Sequence, residues 1–201
     1  MIAILDYGSG NLRSAQRAFE LTGHEVRLTN EPDIAAAADG LVVPGVGAFA
    51  ACMTQLKAIG GDEIIRRRVD SGRAILGICV GMQILFDSGS EKGSHEGVGV
   101  FDGTVARLTA PVLPHVGWNK VDAAQESSLF AGVEEESFYF VHSYGVTDSG
   151  PGPRSGIRSY TEYGEKFLSA IEAGHISATQ FHPEKSGKAG AALIKNWAET
   201  L

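Results

Sequence analysis

The sequence predicts a single α/β domain with a mixed central sheet flanked by helices. Short β-branched runs alternate with amphipathic segments in the first half of the chain, which is typical of parallel strands joined by helical crossovers. The second half changes to closely spaced strand-like runs. No linker or composition shift divides the 201 residues. Because this length suits one domain, we predict that residues 1–201 form it.

The first half supplies the parallel part of the sheet, with helices on both faces. Apolar or alternating runs predict four strands, at residues 2–5, 24–29, 41–43 and 74–78. Helical spacing of apolar residues predicts a helix from a cap at Asn11 to about Thr22, stopped by Gly23. A further helical region breaks at residues 60–61 and ends near Gly72.

The second half, after about residue 88, indicates a more antiparallel region. Strands are predicted at residues 99–108, 115–121, 138–141, 157–160, 168–172 and 177–181. Glycines and prolines predict a surface loop at residues 148–155. The last segment, from about residue 188 to 201, has the apolar spacing of a helix.

Composition argues against several classes of protein. The net charge of −7 argues against a nucleic-acid partner, because binding phosphates needs a basic surface. No apolar run approaches the ~18 residues that span a bilayer, so no membrane association is expected. The 2 cysteines cannot form a disulfide framework and no signal peptide is visible, so we expect a cytoplasmic protein. No zinc spacing or nucleotide motif occurs, and we expect neither metal nor cofactor.

The strongest chemical signal is a cysteine between two glycines at the end of a predicted strand. Gly77, Cys79 and Gly81 follow the pattern of a nucleophile elbow, with helix formers predicted over residues 82–86. A thiol at a helix N-terminus is activated towards the thiolate. The alternative is a buried, inert cysteine, which is our interpretation of Cys52 in its helical context.

A histidine and a glutamate two residues apart form the second signal. On an extended backbone His182 and Glu184 point the same way, so the carboxylate can hold the imidazole tautomer. The alternative is an exposed polar strand end. Together with the cysteine elbow, the pair predicts a Cys79–His182–Glu184 triad.

The third signal is the glycine-rich end of the strand at residues 41–43. Backbone N–H groups of Gly45, Val46 and Gly47 can face an anion there. With the N–H of Val80, just after the predicted nucleophile, they would form an oxyanion hole. The alternative is a plain glycine-rich turn.

These motifs resemble those of the class I, or triad, glutamine amidotransferases. The resemblance is carried by Gly77-Ile-Cys-Val-Gly-Met-Gln83 and His182-Pro-Glu184. Five further segments are similar to the glutaminase subunits of imidazole glycerol phosphate synthases, which act in histidine biosynthesis: residues 6–12 (DYGSGNL), 44–49 (PGVGAF), 114–119 (PHVGWN), 140–144 (FVHSY) and 180–187 (QFHPEKSG). The resemblance spans about residues 2–198 and implies a flavodoxin-like fold.

The resemblance also implies roles for individual residues. Cys79 would attack the carboxamide carbon of L-glutamine, His182 would move the proton, and Glu184 would orient His182. The positions that match glutamine-binding residues are Gly81, Gln83, His142, Ser143 and Tyr144. The positions that match the surface facing a (β/α)8 cyclase subunit are Asn11, Ser14, His115, Trp118, Asn119 and Lys185. In such a heterodimer the cyclase uses the ammonia to make imidazole glycerol phosphate and the purine precursor AICAR.

The resemblance suggests a switch and leaves rival functions open. The 44–47 segment could reorient cheaply because its glycines lack a Cβ, so we expect the oxyanion hole to be completed only when the partner binds its substrate. The rivals are the glutaminase subunit of another class I amidotransferase, a free-standing cysteine hydrolase, and a scaffold subunit without catalysis.

Overall fold

The computed structural model of the chain describes residues 1–147 and 156–201, so the loop predicted at 148–155 lies outside the described residues. The strands are β1 Ile2–Leu5, β2 Val26–Thr29, β3 Gly40–Gly45, β4 Ala74–Cys79, β5 Phe86–Gly89, β6 His95–Glu96, β7 Phe101–Arg107, β8 His115–Lys120, β9 Ser137–His142, β10 Tyr144–Gly145, β11 Ile157–Tyr163, β12 Glu165–Ala173 and β13 Ile176–Thr179. The helices are α1 Leu12–Glu20, α2 Pro32–Ala37, α3 Phe49–Ala58, α4 Gly61–Asp70, α5 Val80–Gln83 and α6 Gly187–Ala198, with a 3₁₀ turn at Pro183–Lys185.

The central sheet has seven strands in the order β11-β12-β13-β4-β3-β1-β2. The strands from β13 to β2 are parallel, and β11, β12 and β13 pair antiparallel. The parallel part therefore has the flavodoxin-like order, which places functional groups at the carboxyl ends of its strands. The predicted α/β class with a mixed central sheet is confirmed.

Two smaller sheets stand beside the central one. A four-stranded sheet has the order β10-β7-β5-β6, and a ribbon consists of β8 and β9. In the antiparallel ribbon Val116 lies opposite Val141, and Trp118 lies opposite Tyr139. The antiparallel character predicted for the second half is therefore present, and the ribbon adjoins the site described below.

The hydrophobic core lies between the central sheet and the two groups of helices that pack on it. Strands β1 and β3 are buried along their whole length, as expected for continuous apolar runs in a parallel sheet. Helix α1 packs against α6, where the Phe19 and Trp197 rings meet edge to face at 5.7 Å. Helix α4 packs against α2 and α3.

Two helix predictions require correction. Asn11 stands at the N-cap position of α1, but its side chain makes no capping hydrogen bond, and the helix ends at Glu20 rather than at Thr22. The helix predicted over residues 82–86 is the single turn α5, and the chain continues as strand β5 from Phe86. Phe86 pairs with Phe101 of β7, so pairing within the second sheet outweighs local helix propensity.

A buried arginine ties the far end of α4 to the loop after α2. Arg68 is 1% exposed. Burial lowers the pKa of its guanidinium to about 10, with a further contribution from Arg73. Its nitrogens donate to the backbone carbonyls of Ala35, Ala36, Ala38, Asp39 and Ala74. The carbonyls at the end of α2, which have no helical partner, are thereby satisfied.

We expect Arg68→Met to lower the free energy of unfolding by about 3 kcal/mol, because several buried carbonyls lose their donor. Arg67→Met is the matched control, since the neighbouring arginine is exposed and should change stability by less than about 0.5 kcal/mol. Urea denaturation followed by circular dichroism measures both values. Equal losses in the two variants would contradict this role of Arg68.

Candidate active site

Cys79 occupies the sharp turn between strand β4 and helix α5. Its backbone has φ 57° and ψ −114°, a conformation that costs a residue with a side chain about 1–3 kcal/mol. The turn needs glycine at both flanks, since a Cβ on Gly77 would lie 2.9 Å from the Gly81 carbonyl oxygen and one on Gly81 would lie 1.8 Å from the Val43 oxygen. The geometry is that of a nucleophile elbow.

Two of the glycines predicted to contact ligand, Gly45 and Gly81, lie where three backbone segments pack closely. Gly81 is buried against Val43, and a Cβ on Gly45 would lie 2.5 Å from the Gly81 nitrogen. Neither glycine lines the cleft above Cys79. That Gly81 contacts glutamine stays a prediction, and what the structure shows is that the β3, β4 and α5 backbones meet too closely there for a side chain.

His182 and Glu184 lie beside Cys79 as a buried pair. His182 Nδ1 is 2.8 Å from Glu184 Oε1, and both side chains are 4% exposed. Burial lowers the pKa of His182, but hydrogen bonds and charges from Cys79 and Glu184 outweigh burial and raise it to about 9. The His182 ring is therefore fully protonated at neutral pH. Its Nδ1 faces the Glu184 carboxylate, and its other nitrogen faces the Cys79 sulfur.

The backbone that joins His182 to Glu184 differs from the predicted extended strand. His182 is extended, but Pro183–Lys185 forms a 3₁₀ turn. The expected contact is made through that turn rather than by the alternation of a strand. The turn is fixed by β9, because His182 N–H donates to the Tyr139 oxygen at 2.9 Å.

A cleft of about 290 Å³ opens above the sulfur. Its lining includes Cys79, Val80, Gln83, His142, Ser143 and Tyr144. The predicted glutamine-binding residues other than Gly81 are thus brought together there. Glu91 and Lys185 also line the cleft. Glu91 was not predicted, because its loop carries no motif.

A pair of neutral histidines stands on one side of the cleft. Burial lowers the pKa of His142 to about 4, helped by the charges of His115 and His182. His142 Nδ1 lies 2.9 Å from the Tyr144 oxygen, so it carries the proton, and His142 Nε2 accepts from His115 Nδ1 at 3.2 Å. The cleft wall is therefore uncharged on this side.

The prediction that His115 faces a partner is wrong. His115 is 3% exposed, and its ring stacks on Tyr163 at 3.9 Å and on Phe140 at 4.9 Å. Strand β8 alternates, so His115 points inward while Val116 and Trp118 point outward. The side chain therefore cannot contact a docked protein.

The remaining predicted partner residues lie at the surface. Asn11 is exposed, Ser14, Asn119 and Lys185 are half-buried, and Trp118 is 58% exposed. Val46, Val116 and Val141 add exposed apolar side chains to the same side of the ribbon and cleft. Val46, Val116, Trp118 and Val141 are called the apolar rim below. Such a group of large apolar side chains is typical of an interaction surface.

The predicted oxyanion segment has the N–H and the carbonyl of Val46 engaged in hydrogen bonds. Val46 N–H donates to Ser9 Oγ at 3.0 Å, and the Val46 oxygen lies 2.9 Å from Ser9 Oγ and 3.3 Å from Cys52 Sγ. Tyr7 donates its hydroxyl proton to the Pro44 oxygen. The Val46 N–H is thus occupied in this conformation, and Ser9 and Cys52 both donate to the Val46 carbonyl oxygen.

The described residues contain no group of His, Cys, Asp and Glu side chains that could hold a metal ion. Within the same residues, no helix is long and apolar enough to cross a membrane.

Comparison with known proteins agrees with this geometry. The family model for class-I glutamine amidotransferases matches residues 3–200. The chain belongs to this family. The amidotransferase is also 56% identical to the imidazole glycerol phosphate synthase subunit HisH of Corynebacterium diphtheriae, covering 100% of this chain and 99% of that protein. It is 55% identical to the protein of the same name from Mycolicibacterium paratuberculosis, covering 100% and 98%.

Solved structures of low sequence identity share the fold. A crystal structure of a glutamine amidotransferase superposes with a TM-score of 0.76 at 18% identity, covering 98% of this chain and 97% of that one. PurLQS from Thermotoga maritima gives 0.73 at 17% identity, covering 99% and 97%. At these identities the similarity establishes the fold of the amidotransferase.

We expect Cys79→Ala to lower the pKa of His182 from about 9, because the variant removes the sulfur that supports the imidazolium. An NMR titration of the histidine ring protons measures the change. Cys52→Ala is the control, since it removes a buried thiol that has no hydrogen bond to His182. An unchanged His182 titration in Cys79→Ala would contradict the coupling.

Proposed function

We propose that this chain is the glutaminase subunit of imidazole glycerol phosphate synthase. It hydrolyses L-glutamine to glutamate and ammonia, and the ammonia passes to a cyclase subunit. The observation that carries the proposal is the buried Cys79–His182–Glu184 arrangement at the floor of the cleft. Similarity of at least 55% over the whole chain to two proteins that carry that subunit name supports the choice of synthase.

The triad performs the reaction in two stages. His182 holds the proton at neutral pH because its pKa is about 9, and Cys79 attacks the carboxamide carbon of glutamine as the thiolate to form a tetrahedral intermediate. His182 then protonates the leaving amine, ammonia departs, and a thioester remains on Cys79. Water gives a proton to the neutral His182 and attacks the thioester, which releases glutamate and restores the thiolate beside the protonated ring. Glu184 orients the ring throughout and stabilises its charged form.

The cleft contains groups suited to the two ends of glutamine. Gln83, His142, Ser143 and Tyr144 line the wall beside Cys79. The Glu91 carboxylate and the Lys185 ammonium lie in the same lining and have opposite charges. They suit the charged amino and carboxylate groups of an amino acid, whereas His142 stays neutral because its pKa is about 4.

The oxyanion hole completes the site only after the 44–47 segment reorients. Val80 N–H supplies one donor at the start of α5, and an N–H of the Gly45–Gly47 segment supplies the other. In the conformation described above, Val46 N–H is bound to Ser9 instead. Loss of one oxyanion donor lowers the rate by a factor of about 10²–10³. The Val46–Ser9 hydrogen bond would therefore keep the glutaminase activity of the isolated chain low.

The partner is a cyclase with a (β/α)8 barrel, which docks on the apolar rim and on Asn11, Ser14, Asn119 and Lys185. The rim borders the cleft, since Val46 and Val141 belong to both. Ammonia released at Cys79 therefore enters the interface directly and avoids bulk water. We propose that the heterodimer works in the cytoplasm and uses no metal or cofactor in this subunit.

The deciding measurement is glutamate release by this chain mixed with the cyclase subunit and its ribonucleotide ligand. We expect release that depends on both partner and ligand and that Cys79→Ala abolishes, because no other side chain at the cleft floor can form the thioester. Release that ignores the partner would favour a free-standing hydrolase. A Cys79 thiol that a glutamine analogue fails to label would favour a scaffold subunit, and pairing with a different synthase would favour another class I amidotransferase.

The switch makes a separate prediction. We expect Ser9→Ala to raise partner-free glutamate release by about 10-fold, a part of the 10²–10³ that an oxyanion donor provides, because Val46 N–H loses its competing acceptor.

Gly47→Val should abolish stimulation by the partner, since Gly47 has φ +90° with open space around it and a β-branched residue restricts its reorientation. Thr54→Ala, on the exposed side of α3, is the control. Unchanged stimulation in Gly47→Val would contradict the switch.

A further inference from the structure

A chain of hydrogen bonds links the Tyr144 carbonyl to the Cys79 sulfur through Gln83 and Gln180. Gln83 Nε2 lies 2.8 Å from the Tyr144 oxygen and 3.0 Å from Gln180 Oε1. Gln180 Nε2 in turn lies 3.8 Å from Cys79 Sγ. Gln180 is 1% exposed and does not line the cleft. It is a buried amide that contacts the reacting atom and has no place in the triad.

The direction of both amides follows from one backbone carbonyl. The Tyr144 oxygen can only accept, so the Gln83 side chain must present its NH₂ group to it. The second N–H of that group then points at Gln180, which must present its oxygen. The Gln180 NH₂ group is therefore left facing Cys79 Sγ. His142 donates to the same Tyr144 oxygen, so the carbonyl is held as an acceptor from two sides.

We propose that Gln180 is a further catalytic residue, whose side-chain N–H donates a hydrogen bond to the Cys79 thiolate and holds the sulfur for attack. The proposal rests on the thiolate chemistry of the proposed function. With the proton on His182, the negative charge stays on Sγ, and the Gln180 amide supplies a donor to that charge. No bond to Gln180 forms or breaks.

The groups around the Cys79 sulfur explain why a donor from Gln180 would affect the thiolate. Burial raises the pKa of Tyr7 well above its usual value, and burial also raises that of Cys52, so both stay uncharged beside the site. His182, paired with Glu184, supplies the cation. The Val141 oxygen lies 3.9 Å from Sγ, but it is an acceptor and cannot stabilise a thiolate. Gln180 is thus the neutral donor that complements His182.

The test uses Gln180→Glu and Gln180→Ala in the full-length chain. Glutamate keeps the size of glutamine and still accepts from Gln83, but it cannot donate to the sulfur and adds a negative charge. The probe is iodoacetamide, with alkylation of Cys79 followed by peptide mass spectrometry from pH 5 to 10. The assay needs neither glutamine nor the partner, so its outcome is independent of whether the chain proves to be a glutaminase.

In Gln180→Glu we expect alkylation at neutral pH to fall about 10-fold, with the midpoint of the pH profile moving up by about 1 unit. Gln180→Ala should show a smaller loss of the same kind, about 3-fold. Above the midpoint both variants should reach the wild-type rate, because the thiol then ionises without help. With partner and glutamine, kcat should fall and KM should stay unchanged, since Gln180 does not line the cleft.

The matched control is Thr179→Val. Thr179 is the buried neighbour of Gln180, and its hydroxyl donates to the Phe181 oxygen rather than to the sulfur. Its variant should keep the wild-type pH profile. The proposal is overturned if the Gln180 variants keep the wild-type midpoint, or if their alkylation is lower by the same factor at every pH, as a merely structural defect would produce.

Discussion

The site depends on the close approach of three backbone segments around Cys79. The end of β3, the end of β4 and the start of α5 meet where only glycine fits, because a Cβ on Gly45, Gly77 or Gly81 would overlap neighbouring backbone atoms. This contact forces the positive φ of Cys79 and directs its side chain towards the carboxyl end of the sheet. The strain is local, and the burial of β3 and of most of β4 compensates for it.

The second half of the chain brings the proton-handling groups to that fixed point. Strand β9 accepts the His182 N–H at Tyr139, and its Val141 oxygen lies beside the sulfur. Most buried titratable groups nearby are held neutral: burial lowers the pKa of His142 and raises that of Tyr7. His182, paired with the Glu184 carboxylate, differs from them, since Cys79 and Glu184 raise its pKa to about 9. The His182 ring, which faces the sulfur, therefore carries the proton that a leaving amine needs.

The sequence is informative where the chemistry is local and uninformative where it depends on packing. The strand, the glycines and the cysteine of the elbow are adjacent in sequence, so fold class and candidate nucleophile follow from them. His115 was assigned to the partner surface because the whole 114–119 segment resembles one, whereas the strand turns His115 inward and leaves Val116 and Trp118 exposed. Gln180 was overlooked, although the alternation that paired His182 with Glu184 also places residue 180 on the same side. The Ser9–Val46 contact joins segments 37 positions apart, and no local pattern indicates it.

The two faces of the β8–β9 ribbon link the surface to the chemistry. On the outer face Val141 and Val116 stand opposite each other and belong to the apolar rim. The backbone of the same strand β9 contacts both Cys79 and His182. A protein that covers the rim must therefore press on the strand that positions the nucleophile and the proton carrier, and on Val46, whose N–H is held by Ser9. Under the proposed function, docking would therefore be coupled to catalysis through one shared strand and one shared peptide.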